Sequence, residues 1–187
     1  MRTGVFGGSF DPIHHGHLIL ARAALEELAL DRVLFIPASR SPHKTETVPA
    51  TAADRLAMIE LAIAQEPGFA VSGMELQRPS PSYTVDTLRE LHSADPGGDI
   101  ALLIGADHVE KFGTWKDPGE IERLASIAVL ARASRSAPQH AWPVVRRLID
   151  VSSTDIRTRV AEKKSIRYLT PDLVCDYISK CGLYRHL

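Results

Sequence analysis

Short apolar runs alternate with segments of helical pattern along this chain, and this alternation limits its fold more than any other feature. The apolar runs predict six strands, at residues 3–6, 32–36, 69–71, 100–104, 127–130 and 144–151. Helices are predicted at residues 17–28, 51–65, 82–91, 154–161 and 170–182. Because strands separated by helices pair in parallel, the sequence predicts an α/β fold with an open parallel sheet and helices on both faces. Residues 152–187 are expected to form a small helical C-terminal extension.

Helix-capping residues support several of these boundaries. The helix at 51–65 begins with a Thr-x-x-Asp capping pair. Ser82 or Thr84 is predicted to cap the next helix. Residues 170–172, Thr-Pro-Asp, are predicted to cap the last helix, and Gly182 to end it.

Composition limits the function classes open to the chain. With 187 residues, 44% of them hydrophobic, it can bury one sizeable core, so one domain over residues 1–187 is predicted. A net charge of −1 argues against wholesale binding of nucleic acid. No apolar run reaches membrane-spanning length, and the N-terminus lacks the layout of a signal peptide. Cys175 and Cys181 are interpreted as reduced thiols, so we expect a cytoplasmic protein with no membrane partner.

The segment TGVFGGSFDPIHHGHL, residues 3–18, carries the strongest chemical signal. A predicted strand ends in Gly7-Gly8, where glycines let the backbone approach a bulky anion, and the helix that follows offers unpaired N–H groups. His14 and His17, three residues apart, can point at the same phosphate. The alternatives are structural histidines or a metal site. Since no cysteine or carboxylate other than Asp11 sits at ligand spacing nearby, and glycine-rich turns at helix ends favour anions, we predict a phosphate site.

Three further polar segments follow predicted strands, namely PHK at 42–44, GAD at 105–107 and SSTDIR at 152–157. The carboxyl ends of parallel strands share one edge, where ligands bind at the point of strand-order reversal. Lys44 could therefore reach terminal phosphates, although an isolated loop lysine is usually only solvated. In SSTDIR, Ser153 or Thr154 capping a helix is the simplest interpretation. The same hydroxyls, together with Arg157, can also bind phosphate.

These motifs resemble a known family of enzymes. His14, Gly16 and His17 match the HxGH signature of a nucleotidyltransferase superfamily, and Ser152, Thr154 and Arg157 match its SxTxxR signature. The segments IPASRSPHK at 36–44, RPSPSYTVDTL at 78–88 and IGADHVEKFGTWKDP at 104–118 are similar to those of the bacterial nicotinate mononucleotide adenylyltransferase family. The resemblance extends from the first strand to the terminal GLY and implies a Rossmann-like sheet.

The resemblance implies direct adenylyl transfer. In that family the 5′-phosphate of nicotinate mononucleotide attacks the α-phosphorus of ATP, giving nicotinate adenine dinucleotide and pyrophosphate without a covalent intermediate. The implied catalytic residues are His14 and His17 at the transferring phosphate and Lys44 and Arg157 at the β- and γ-phosphates. The implied ATP-binding residues are Gly7, Gly8, Ser9, Phe10, Gly16, Gly105, Ser152 and Thr154. The implied acceptor-binding residues are Tyr83, Thr84 and Trp115 around the nicotinate ring and Asp107 at a ribose hydroxyl.

The same resemblance implies the cofactor and partners. Mg²⁺ is expected on the ATP triphosphate, held mostly by water and phosphate oxygens, with no metal site on the protein. ATP and nicotinate mononucleotide are the expected partners, and a homo-oligomer is left open. Two segments depart from the family pattern: Arg-Ala-Ser at 132–134 stands where Arg-Pro-Gly is usual, and Ser41 replaces the first proline of PPHK.

Three other functions remain open at this stage. A phosphopantetheine adenylyltransferase shares the N-terminal turn and the hydroxyl motif, but the SYT and TWKD segments fit it poorly. An adenylyltransferase that prefers nicotinamide mononucleotide differs in a single pocket contact. A non-catalytic nucleotide sensor on the same fold is the alternative from a different class, although nothing visible in the sequence would inactivate the site.

Overall fold

The computed structural model describes residues 1–39, 50–79, 81–132 and 141–185. These residues form one six-stranded sheet of β1 (Arg2–Gly8), β2 (Arg32–Pro37), β3 (Phe69–Val71), β4 (Asp99–Gly105), β5 (Ser126–Ala131) and β6 (Val144–Arg146). The strand order is β3-β2-β1-β4-β5-β6, and every neighbouring pair is parallel. The predicted α/β class with an open, Rossmann-like parallel sheet is therefore confirmed.

Helices cover both faces of this sheet. In the described residues they are α1 (His15–Glu27), α2 (Ala52–Ile63), α3 (Thr84–Ala94), α4 (Pro118–Leu124), α5 (Ser153–Ala161) and α6 (Asp172–Cys181). Short 3₁₀ turns occupy Met74–Gln77, Ala106–His108 and Phe112–Thr114. Gly182 ends α6 as predicted, in a left-handed conformation with φ of 65°. Within the described ranges, none of the helices has the length and apolarity needed to cross a bilayer.

Alternating strand residues build two separate cores, one on each face of the sheet. Phe6, on β1, packs in the core that includes buried residues of α1, α2, α5 and α6, while its neighbour Val5 packs in the core that includes α3 and α4. Leu102 and Leu103 on β4 divide between the two cores in the same way. Continuous apolar runs are what a strand buried on both faces requires, and this is why the strands could be located from the sequence.

The strand order reverses on the two sides of β1, which determines where a ligand can bind. Val5 on β1 lies opposite Leu34 of β2 on one side and Leu102 of β4 on the other. The chain thus moves outward in one direction through β2 and β3, and in the other through β4 to β6. The loops after β1 and β4 consequently diverge and leave a crevice between Gly8 and Gly105.

The predicted cap of α3 is wrong, whereas the N-cap of α6 lies within the predicted residues 170–172. At both helix starts a hydroxyl group binds a distant backbone atom. Tyr83 is the N-cap of α3, without a side-chain capping bond, while the Ser82 hydroxyl accepts the Ser39 N–H at 3.3 Å. Thr170 donates to the Ile13 carbonyl at 2.7 Å, and the backbone of Pro171 occupies the N-cap of α6.

The cap of α5 and the length of β6 also differ from the prediction. Ser152, rather than Ser153 or Thr154, caps α5 by accepting the Asp155 N–H at 3.1 Å. The sixth strand was predicted to extend over residues 144–151 but ends at Arg146. Beyond it the backbone follows β5 through only two bonds, from Arg147 N–H to Ala131 and from Ile149 N–H to Arg132, so no regular ladder forms.

Candidate active site

A cavity of about 790 Å³ opens at the crevice between the ends of β1 and β4. Ten of the sixteen predicted site residues line it, namely Gly7, Gly8, Ser9, Phe10, His17, Tyr83, Thr84, Gly105, Asp107 and Trp115. The glycine turn after β1 and the GAD segment after β4 therefore meet as the strand-end argument predicted, and the start of α3 joins them. We call the side near His17 and Arg132 the phosphate end, and the side near Tyr83, Thr84 and Trp115 the acceptor end.

The floor of the phosphate end is formed by a tight turn after β1. Phe10 adopts a positive φ of 47°, which folds its ring back beneath Gly8. A Cβ atom at Gly8 would lie 2.9 Å from that ring, so only glycine fits there. The Phe10 ring is buried and packs edge-on against Phe6 and His17, with centroid distances of 5.4 and 5.1 Å. The turn is thus fixed to the core while its backbone faces the cavity.

The two signature histidines stack on each other at the start of α1. Their ring centroids are 3.7 Å apart with an interplanar angle of 23°. His17 lines the cavity, whereas His14 is 1% exposed and lies behind it. The backbone N–H of His14 donates to Nδ1 of His17 at 3.3 Å. A neutral His17 therefore carries its proton on Nε2, the tautomer that donates to a phosphate oxygen.

The environment of His14 keeps its ring neutral. Burial, with a further contribution from the charge of Arg132, lowers the pKa of His14 from 6.5 to about 3. Its Nδ1 atom is buried and has no hydrogen-bond partner within the described part of the chain. A phosphate at this end of the cavity would favour the protonated form and raise the pKa of His14, because an adjacent anion stabilises a cation.

Gly16 explains the glycine of the HxGH signature. A Cβ atom at this position would lie 3.0 Å from both Nδ1 and Cε1 of His14, and 3.5 Å from the carbonyl oxygen of Val151. The ring of His14 therefore rests directly on the backbone of Gly16. A methyl group here would require the ring of His14 to move by a few tenths of an ångström.

The SxTxxR residues are placed beside the phosphate end but do not line the cavity. Arg157 donates to the backbone carbonyl of Asp11 at 2.8 Å and contacts the Thr154 hydroxyl at 3.4 Å. Ser152 caps α5, and Thr154 is exposed. His14 and Gly16 likewise lie outside the cavity wall. Lys44, the remaining predicted residue, falls outside the residues that the structure describes.

Sequence reasoning missed a buried arginine that supports both edges of the phosphate end. Arg55 on α2 is 2% exposed, and its Nη1 donates to the carbonyls of Ser9 and Ala38, each at 2.8 Å. Ser9 and Ala38 follow β1 and β2 and line the cavity. The available signal was an arginine three and four residues before Met58 and Ile59, on the apolar face of the predicted helix.

The bond between the buried Asp11 and Tyr184, near the C-terminus, was also missed. The Tyr184 hydroxyl donates to Oδ1 of Asp11 at 2.6 Å, and both residues are buried. Burial raises the pKa of Asp11, although the bond from Tyr184 and the charge of Arg157 act in the opposite direction. Burial and the bond to Asp11 raise the pKa of Tyr184. The C-terminal residues are therefore connected directly to the turn that carries the histidines.

The acceptor end contains a second buried acid. Glu75 is 7% exposed and accepts the hydroxyl of Thr87 at 2.6 Å, while burial raises its pKa. Trp115 packs against Phe112, with ring centroids 5.4 Å apart. Asp107 is exposed at the mouth of the cavity. Over the described ranges there is no group of three or more His, Cys, Asp or Glu side chains that could hold a metal ion.

The sequence is similar to a known protein family and to proteins of bacterial origin. Residues 5–159 match the family model described as cytidylyltransferase-like. A protein of Thermus thermophilus described as a probable nicotinate-nucleotide adenylyltransferase is 47% identical over 99% of this chain and 100% of its own length. One of Thermomicrobium roseum with the same description is 42% identical, covering 98% of this chain and 92% of its own.

Solved structures agree on the fold. The Plasmodium falciparum nicotinic acid mononucleotide adenylyltransferase complexed with NaAD superposes with a TM-score of 0.79 at 17% identity, covering 98% of this chain and 97% of that one. A putative nicotinate-nucleotide adenylyltransferase from Vibrio parahaemolyticus superposes with a TM-score of 0.72 at 22% identity, covering 100% of this chain and 96% of that one. At these identities the two structures support the arrangement of strands and helices alone.

Proposed function

The chain belongs to the cytidylyltransferase-like family, and we propose that it transfers the adenylyl group of ATP to nicotinate mononucleotide, releasing pyrophosphate. The observation that carries this proposal is the 47% identity to the Thermus thermophilus relative along essentially the whole of both chains. The product is nicotinate adenine dinucleotide, a precursor of NAD. The chain is thus a nucleotidyltransferase of NAD biosynthesis.

The reaction asks the protein to position two phosphates and to neutralise charge, rather than to supply a nucleophile. The 5′-phosphate of the acceptor attacks the α-phosphorus of ATP in line, and the bond to the β-phosphate oxygen breaks. Nε2–H of His17 donates to an oxygen of the transferring phosphate, where negative charge develops. His14 stacks behind His17, with ring centroids 3.7 Å apart, and holds the ring of His17 in place. A cavity of about 790 Å³ fits two substrates placed end to end.

The remaining roles follow from position. The glycine turn, with Ser9 and Phe10, faces the triphosphate, and Arg157 with Ser152 and Thr154 borders its β- and γ-phosphates. We assign Lys44 to the same phosphates by its match to the family motif. Mg²⁺ would be carried by the triphosphate, where its positive charge would offset the negative charge of the phosphate oxygens.

The acceptor is held at the other end of the cavity. We place the nicotinate ring between Tyr83 and Trp115, with Thr84 at the start of α3, and a ribose hydroxyl on Asp107. A pyridinium ring carries positive charge and is attracted to aromatic faces. The cytoplasmic location and the single-domain organisation stay predictions, as does the absence of a nucleic-acid partner, and the oligomeric state stays open.

A pyrophosphate-release assay with ATP and each mononucleotide in turn tests this function. We expect turnover with nicotinate mononucleotide to exceed turnover with nicotinamide mononucleotide by about tenfold or more, because one pocket contact distinguishes carboxylate from amide. Equal rates would contradict the nicotinate assignment. No pyrophosphate with either acceptor, together with tight ATP binding, would point to the sensor instead.

Replacing Gly16 by alanine is expected to lower kcat about tenfold, because the new methyl group displaces the ring of His14 and with it His17. The KM for both substrates should change little, since neither ring is a main binding contact. Gly119→Ala is the matched control, because a Cβ atom at Gly119 would meet no atom within 4 Å. An unchanged kcat in Gly16→Ala would show that the position of His14 does not matter for transfer.

A further inference from the structure

Lys116 is a cation in the cavity wall that none of the roles above uses. Its Nζ lies 4.7 Å from the centroid of the Tyr83 ring. The same atom is 3.2 and 3.0 Å from the two carboxylate oxygens of Asp86, in the first turn of α3. Its side chain is 42% exposed and lines the cavity. An ammonium group is thus held above the aromatic ring that contacts the acceptor in the proposed function.

The part of the cavity wall that the structure describes contains few cations and several acids besides Lys116. Among the described residues that line it, Arg132 is the other lysine or arginine, and it belongs to the phosphate end. Arg132 donates to the Val151 carbonyl at 3.0 Å and contributes to the low pKa of His14. The carboxyl groups that line the cavity are those of Glu75, Asp107 and Glu110. Among these described residues, Lys116 is therefore the cation that an anionic ring substituent would meet at the acceptor end.

We propose that Lys116 is the residue that selects an acceptor with a carboxylate on its ring over one with an amide. This inference rests on the proposed function and names the specificity-determining group of the same site. An ammonium has three N–H donors, and Asp86 presents two oxygens to it, so a third donor can reach the ligand. A charged carboxylate gains more from this bond than a neutral amide does. Without Lys116, among the described residues Asp86 keeps only its pairing with Arg89, at 3.3 Å, and no ammonium group is left over Tyr83 to attract the carboxylate.

The test compares both acceptors in the wild-type protein and in Lys116→Met. We expect the ratio of kcat/KM for nicotinate over nicotinamide mononucleotide to fall about tenfold or more, with the KM for ATP unchanged. Lys116→Arg keeps the charge and should retain most of the preference. Lys111→Met is the matched control, because Lys111 is exposed and does not line the cavity. Titration of Trp115 fluorescence with each mononucleotide should reproduce the shift in binding, without turnover.

Lys116 could instead act by holding α3 in place through Asp86, without contacting the substrate. The variant Asp86→Asn distinguishes this structural role from substrate recognition. If Lys116 acts only by fixing the position of α3 through Asp86, Asp86→Asn should lower activity as Lys116→Met does. That result would overturn the inference. If Lys116 binds the substrate, Asp86→Asn should keep or increase the preference for the carboxylate, because a competing acceptor is removed. An unchanged ratio in Lys116→Met, or an equal loss with both acceptors, would also overturn it. Failure of the wild type to use nicotinate mononucleotide would instead refute the proposed function.

Discussion

Replacing His17 by alanine is expected to lower kcat for pyrophosphate release by about 10²- to 10³-fold, the loss that follows removal of one preorganised donor at a developing charge. His17 is the signature histidine that lines the cavity, and its Nδ1 accepts the His14 N–H. A neutral His17 therefore carries its proton on Nε2, and in the proposed function this N–H donates to the transferring phosphate. The KM for ATP should change by only a fewfold, since the bond strengthens as the phosphorus is attacked rather than when ATP binds. Steady-state rates at saturating acceptor measure both quantities.

His15→Ala is the control for this variant. His15 lies between the two signature histidines in sequence, but it faces a separate groove bordered by α1, α2 and α6 and does not line the cavity. Its N–H donates to the Leu169 carbonyl, a bond that alanine preserves. We expect His15→Ala to retain wild-type kcat. A His17→Ala protein with undiminished kcat would refute the assignment of the phosphate end, and equal losses in both variants would indicate a general disturbance of α1.

Local pattern was sufficient to predict the sheet, because its strands are buried on both faces. Each of the first five strands was located from an apolar run, with ends within about two residues of those in the structure. The sixth was overextended because 144–151 is apolar enough for a strand, whereas regular pairing with β5 ends at Arg146. An apolar run marks burial, but it does not say where a neighbouring strand stops.

Helix caps were predicted less well because capping competes with long-range bonds. Ser82 binds a backbone N–H 43 residues away, and Thr170 a carbonyl 157 residues away. Neither partner is visible in a local window, so a residue suited to capping was taken for a cap. Thr51, whose partner Asp54 is three residues on, was predicted correctly.

The site residues also divide into those predictable from local sequence and those whose partners are distant in sequence. The strand-end argument brought Gly7, Gly105 and Asp107 to one cavity, because strand order alone determines where those loops meet. Arg55 escaped notice since its partners Ser9 and Ala38 lie 46 and 17 residues away. Supporting residues of this kind become visible only when the fold is known, and the most consequential of them can be tested directly.

Replacing Arg55 by methionine is expected to cost about 3 kcal/mol of unfolding free energy and to lower kcat as well. The change leaves the carbonyls of Ser9 and Ala38 without their buried donor and removes a positive charge near Asp11. Since domains of this size are stable by only about 5–15 kcal/mol, the urea midpoint followed by circular dichroism should fall clearly. ATP alone should recover part of the loss, because a ligand that binds only the folded state stabilises it.

An exposed arginine provides the comparison that separates this effect from a general loss of charge. Arg123 pairs with Glu120 on the surface of α4, and its side chain is 71% exposed, so Arg123→Met should leave the urea midpoint and kcat near those of the wild type. If Arg55→Met unfolds at the wild-type midpoint but loses kcat, Arg55 serves the position of the turn and not the stability of the fold. If both are unchanged, the two carbonyls find other donors, and the support for the phosphate end must come from Tyr184 and Arg157 through Asp11. Measuring stability and turnover on the same preparation therefore decides which contacts hold the histidine turn in place.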